Sequence, residues 1–117
     1  MIVLVTRDLF FGSKVTGTAQ ALGLQATTCA SLERLRELLA PSTVAGIILD
    51  LGSEVAPADV ATLIPEGSAI SLLAFGAHVD IQRLEAARAA GFHQVMPRSK
   101  FSGELPQLLR GLAQAAE

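Results

Sequence analysis

A chain of 117 residues is long enough for one domain with one core, and nine Lys and Arg against eleven Asp and Glu leave it at a formal charge of -2. That balance excludes a nucleic-acid surface as the main task, because such surfaces need clustered cations to displace counterions from phosphates. Half of the residues are hydrophobic and Trp and Tyr are absent, so the core is expected from Leu, Ile, Val, Ala and Phe, with residues 1–117 forming a single domain and no output domain attached.

In chain order, residues 1–6 (MIVLVT) form an apolar run that stops in Thr6, Arg7 and Asp8, which predicts a buried strand. The run is too short for a secretory h-region and nothing else approaches a membrane span, so a cytoplasmic protein is expected. Phe11, Val15, Ala19 and Leu22 then fall at helical spacing over residues 9–22, with Gly23 as a stop that tolerates left-handed φ and with Gly12 and Gly17 weakening the interior. Phe10 and Phe11 are adjacent and cannot both face the core, so one of them is expected at the surface or at its edge. Residues 24–30 (LQATTCA) are short, polar-spotted and β-branched, as suits an edge strand. The single Cys29 has no partner for an internal disulfide and is read as a buried thiol. Ser31 caps a helix with Leu32, Leu35, Leu38 and Leu39 on one face, and Pro41 ends it.

Residues 44–52 (VAGIILDLG) are nearly continuously apolar, which predicts a central strand covered on both faces and closed by Asp50. Pro57 opens a short helix carrying Val60, Leu63 and Ile64, and Pro65 and Gly67 end it. A strand follows at 69–75 (AISLLAF). Asp80 caps the next helix, with Ile81, Leu84 and Ala87 expected inward and Gly91 as its stop. Residues 92–96 make a last strand with Pro97, Arg98, Ser99 and Lys100 as its polar end. Ser102 opens a final helix with Leu105, Leu108, Leu109 and Leu112 on one face, and Pro106 is tolerable in its first turn.

Five strands alternating with five helices imply an α/β fold with a parallel sheet and right-handed crossovers. A flavodoxin-like doubly wound sheet of order 2-1-3-4-5, in a three-layer sandwich, buries strands 1, 3 and 4 and leaves the polar strand 2 on an edge. Parallel strands end on one side, so Thr6, Arg7, Asp8, Asp50, Ala74 and Arg98 are expected around one shallow cleft. His78 and His93 lack ligand-spaced partners and are expected as a loop and a strand-end histidine. No Gly-rich stretch has the spacing of a phosphate loop.

With the aspartate closing strand 3 in IILDL, the AAGF turn after the fourth helix and the PRSKF segment after strand 5, the chain resembles response-regulator receiver domains of the CheY-like type over essentially its whole length. The resemblance implies that the strand-3 aspartate, here Asp50, is the phosphoacceptor, that an acidic pair after strand 1 holds Mg²⁺, that a Ser or Thr ends strand 4 and that a Lys ends strand 5. Against that pattern the chain has Thr6-Arg7 with Asp8 following, Ala74, and Pro97-Arg98 with Lys100 two residues on; Arg98 and Lys100 share a face if the segment is extended.

Two carboxylates against two arginines make the cleft roughly neutral, which offers little to a hard cation. The expectation is therefore a pseudo-receiver: a stand-alone, non-enzymatic signalling or adaptor domain without cofactor, acting by association with itself or a partner protein through the surface from Asp80 to Gln114, and not with nucleic acid or membrane. Asp50 is expected either in an ion pair with Arg98 or Arg7 or as a solvated strand-end carboxylate. The alternatives are a working receiver phosphorylated on Asp50 with Mg²⁺ on Asp8 and Asp50, and a sensor holding a small anion or nucleotide beside Arg7 and Arg98.

Overall fold

The apolar runs become the middle of a five-stranded parallel sheet of order β2-β1-β3-β4-β5. The computed structural model describes residues 1–41 and 43–114. The strands are β1 (Ile2–Val5), β2 (Ala26–Cys29), β3 (Gly46–Asp50), β4 (Ser71–Gly76) and β5 (Gln94–Pro97); the helices are α1 (Leu9–Ala21), α2 (Leu32–Leu39), α3 (Pro57–Thr62), α4 (Ile81–Ala89), α5 (Arg98–Gly103) and α6 (Leu105–Gln114). The doubly wound, flavodoxin-like order expected from the alternation is the one present, with β2 as an edge.

Strand side chains alternate between two faces, and each face has its own core. Val3, Val5, Ile47, Leu49, Leu72 and Ala74 pack with Leu35, Val60, Leu84 and Ala87 under α2, α3 and α4. Ile2, Leu4, Ile48, Leu73 and Phe75 pack with Phe11, Val15, Leu105 and Leu109 under α1, α5 and α6. Continuous burial along β1 and β3 follows from being covered on both sides. The helices begin where side chains cap them: Ser31 accepts from the Arg34 N–H at 3.1 Å, and Asp80 from the Arg83 N–H at 3.4 Å. Gly23 and Gly91 adopt φ of 75° and 91° directly after α1 and α4, where a side chain would be strained.

Three expectations change. Ile81 lies on the stripe of Leu84 and Ala87 yet is 66% exposed, because the first residue of α4 stands past the carboxyl end of β4 with no layer beneath it. The last helix does not begin at Ser102: α5 starts at Arg98, directly after Pro97, and the chain breaks at Glu104 before α6. The cause is Phe101, which is fully buried against Phe75 with ring centroids 4.5 Å apart, and a helical turn is what carries it there. The segment after β5 is therefore helical rather than extended, and its side chains obey a different geometry. Strands 2, 3, 4 and 5 also begin two residues later than their apolar runs do. The adjacent phenylalanines divide as anticipated, Phe11 buried and Phe10 93% exposed. Among the described residues no helix is long and apolar enough to cross a membrane.

Candidate functional site

The parallel register delivers Thr6, Asp50, Gly76 and Pro97 to one edge of the sheet. Asp50 is 6% exposed there, and both of its carboxylate oxygens already accept hydrogen bonds. The Thr6 hydroxyl donates to Oδ2 at 2.7 Å, and the Gly52 N–H donates to Oδ1 at 2.8 Å. Glycine at position 52 eases that contact, since a Cβ there would stand a tight 3.1 Å from the same Oδ1. Thr6 is itself buried, and its oxygen accepts from the Asp8 N–H at 3.1 Å. One hydroxyl thus ties the end of β1, the start of α1 and the end of β3 together.

Asp8 is equally committed. Its Oδ1 accepts from the Phe11 N–H at 2.9 Å, which makes it the N-cap of α1, and its Oδ2 accepts from the Arg98 guanidinium at 2.9 Å. The Phe11 N–H first, and Arg98 second, hold its carboxyl below the usual carboxylate range. The Arg98 guanidinium lies 4.2 Å from the centroid of the Phe11 ring and 5.8 Å from that of Phe75, a cation over aromatic faces. Beneath it Phe11, Phe75 and Phe101 form one cluster.

Of the expected cleft, Thr6 meets Asp50 and links it to Asp8, which in turn meets Arg98; Arg7, Ala74 and Lys100 stand apart from this chain of contacts. Arg7 turns outward to Glu54 at 2.8 Å, so it shares no anion pocket with Arg98. Ala74 pairs with Leu49 and faces the opposite core, while Phe75 is the residue in register with Asp50. Side-chain parity along β4 decides this: Asp50 lies on the Ile48 face, and its neighbours are Leu73 and Phe75. That count was available in the LLAFG segment. Lys100 lies in a groove beside β5 instead, because residues two apart on a helix point in nearly opposite directions, whereas on a strand they would share a face. The ion pair expected for Asp50 is absent: Arg98 pairs with Asp8, Arg7 with Glu54, and no ion pair among the described residues includes Asp50. Nor is Asp50 solvated; its partners are a hydroxyl and a backbone amide.

The residues present fit Mg²⁺ poorly. That ion takes oxygen ligands in near-ideal octahedral geometry, but Asp8 spends its oxygens on Arg98 and a helix N-terminus, and Asp50 spends its own on Thr6 and Gly52. No group of three or more His, Cys, Asp or Glu among the described residues is placed to hold a metal. A further tie closes the loop after β3, since the Arg83 guanidinium donates to the Leu51 carbonyl at 2.6 Å. Gly76 leaves room for the Leu51 side chain, which a Cβ there would approach to 3.2 Å.

No protein-family model matches the sequence, and no curated protein matches it. Among solved structures the chain is similar to a response regulator receiver protein from Pseudoalteromonas atlantica, with a TM-score of 0.81 and 16% identity over 99% of this chain and 98% of that one. It is similar to NtrX from Brucella abortus in complex with ADP, with a TM-score of 0.79 and 14% identity; the match covers 97% of this chain and spans 26% of the NtrX chain. It is similar also to the NtrC4 receiver domain, a beryllofluoride-activated dimer in solution, with a TM-score of 0.74 and 13% identity over 95% of this chain and 97% of that one. At such identities the likeness is one of fold.

Proposed function

From the response-regulator receiver fold that this chain carries, we propose a receiver-like signalling or adaptor module that works by protein association and does not use Mg²⁺-dependent phosphorylation of Asp50. The observation that carries the reading is the Arg98 guanidinium, seated between the Asp8 carboxylate and the Phe11 ring. It supplies a permanent positive charge to the carboxylate that would otherwise ligate a metal. Phosphoryl transfer draws on metal charge and on positioned donors for the transition state; here the neighbour of Asp50 on β4 is Phe75, which has no hydroxyl to donate. The module is not an enzyme, takes no cofactor and acts in the cytoplasm.

Its partner is a second copy or another protein, met through α4, β5 and the helices that follow. The NtrC4 receiver domain, on the same fold, is a dimer. A net charge of -2 supports a protein rather than nucleic acid or an anionic membrane as the partner.

The test is incubation with acetyl phosphate and Mg²⁺ followed by intact-mass measurement, with sedimentation and a pull-down on the same preparation. The mass is expected to stay unchanged and the protein to associate. A phosphoryl adduct that disappears in Asp50→Asn makes the chain a working receiver instead. A strict monomer that recovers no partner rejects the association half of the proposal.

A further inference from the structure

At the β5 side of the sheet, a groove of about 400 Å³ runs between α4 and α5, lined by Arg88, His93, Gln94 and Lys100 together with the β5 residues behind them. In a chain of net charge -2, this groove gathers two cations and an imidazole and no carboxylate into its lining. Glu85 accepts from the Arg88 guanidinium across one turn of α4, and Glu104 follows Lys100 by four residues, its N–H donating to the Lys100 carbonyl. Both Glu85 and Arg88 are half-exposed, and exposed pairs of this kind are weak enough for another carboxylate to displace.

His93 is fixed rather than loose. Its backbone N–H donates to the Leu72 carbonyl at 2.9 Å, and its Nδ1 accepts from the Leu72 N–H at 2.9 Å. Because Nδ1 is the acceptor, the neutral ring carries its proton on Nε2, which makes it a third donor for the groove. The same geometry orients the backbone. The His93 N–H points at β4, so along an extended chain the Gln94 N–H points the other way. β5 pairs with β4 alone, and the outward rungs at Gln94 and Met96 form a free sheet edge on the floor of the groove.

We infer that this groove takes an extended acidic segment of a partner protein, added to β5 as a further strand, with alternate carboxylates reaching Arg88, His93 Nε2–H and Lys100. Backbone pairing supplies the affinity in this mode and the charges supply register and selectivity. The inference rests on the association reading above.

The probe is a short synthetic peptide alternating valine and glutamate, titrated into the ¹⁵N-labelled chain, with its valine–glutamine counterpart as control. Saturable shifts are expected at the Gln94 and Met96 amides with the glutamate peptide and none with the control. The double variant Arg88→Glu, Lys100→Glu is expected to weaken binding about tenfold or more, with an unchanged melting curve showing that it folds. The inference is overturned by no shift at Gln94 and Met96, by equal shifts with the glutamine peptide, or by undiminished binding to the double variant. The phosphodonor experiment does not involve this groove, so each reading can fail without the other.

Discussion

Two borders of the sheet hold similar side chains and use them in opposite ways. At the carboxyl edge, Thr6, Asp8, Asp50 and Arg98 are partnered with one another or with backbone N–H groups, and Phe11, Phe75 and Phe101 fill the space around them. At the β5 edge, Arg88, His93 and Lys100 line open space, with one weak pair to Glu85 among them. A buried polar atom must find its partner inside the protein, and once found, that partner keeps it from a ligand. An exposed polar atom has water for a partner, which a ligand can displace. In this chain the polar side chains of the carboxyl edge are thus tied into one another and into backbone amides, whereas those of the β5 edge line open space.

The contrast breaks most readily at the phenylalanines. Phe75→Ala empties the stack against Phe101 beneath Arg98, and is expected to cost about 3–5 kcal/mol by denaturant titration. A loss well under that range means that the carboxyl edge is not packed shut. Asp50→Ala strands the buried Thr6 hydroxyl and the Gly52 N–H, and is expected to destabilise by about 1–3 kcal/mol. In a working receiver the same change removes like-charge repulsion and stabilises, so a variant more stable than the metal-free wild type would sink the reading of a tied carboxyl edge.

Arg98→Ala sharpens the comparison through pH. The carboxyl of Asp8 is held below its unfolded value, so the stability it contributes is present above the unfolded pKa and lost as pH falls through the folded one. Without Arg98 that loss begins at a higher pH. Because the Phe11 N–H is the larger cause and remains, the acid limb of the stability curve is expected to move only slightly. An unmoved acid limb means that Arg98 does not hold the Asp8 charge. Lys100→Glu, on the open edge, is expected to alter stability by less than about 0.5 kcal/mol at neutral pH. A larger change in thermal melts would show that the groove residue carries structure.

How far the site could be read from the sequence depends on which residues are asked about. IILD and MIVLV announce buried parallel strands through their unbroken apolar character, and their ends bring Thr6, Asp8 and Asp50 to one edge whatever the details. Ser31 and Asp80 announce their helices, because a cap is a local hydrogen bond. The end of β4 predicts Ala74 at the cleft, and parity along the strand gives the place beside Asp50 to Phe75. The choice between Arg98 and Lys100 turns on whether the chain after Pro97 is extended or helical. That depends on where Phe101 buries, a contact with β4 more than twenty residues earlier in the chain.

The amino-acid sequence by itself determined the five strands and the first four helices, the doubly wound sheet and the edge at which its polar residues gather. All of these follow from periodicity and capping, which act over one element at a time. Tertiary structure alone decided that Arg98 meets Asp8 rather than Asp50, that the Thr6 hydroxyl takes one oxygen of Asp50, and that Lys100 faces the β5 groove. Partners for a buried polar atom are set by which elements pack side by side, and the residues concerned stand 44 and 90 positions apart in the chain.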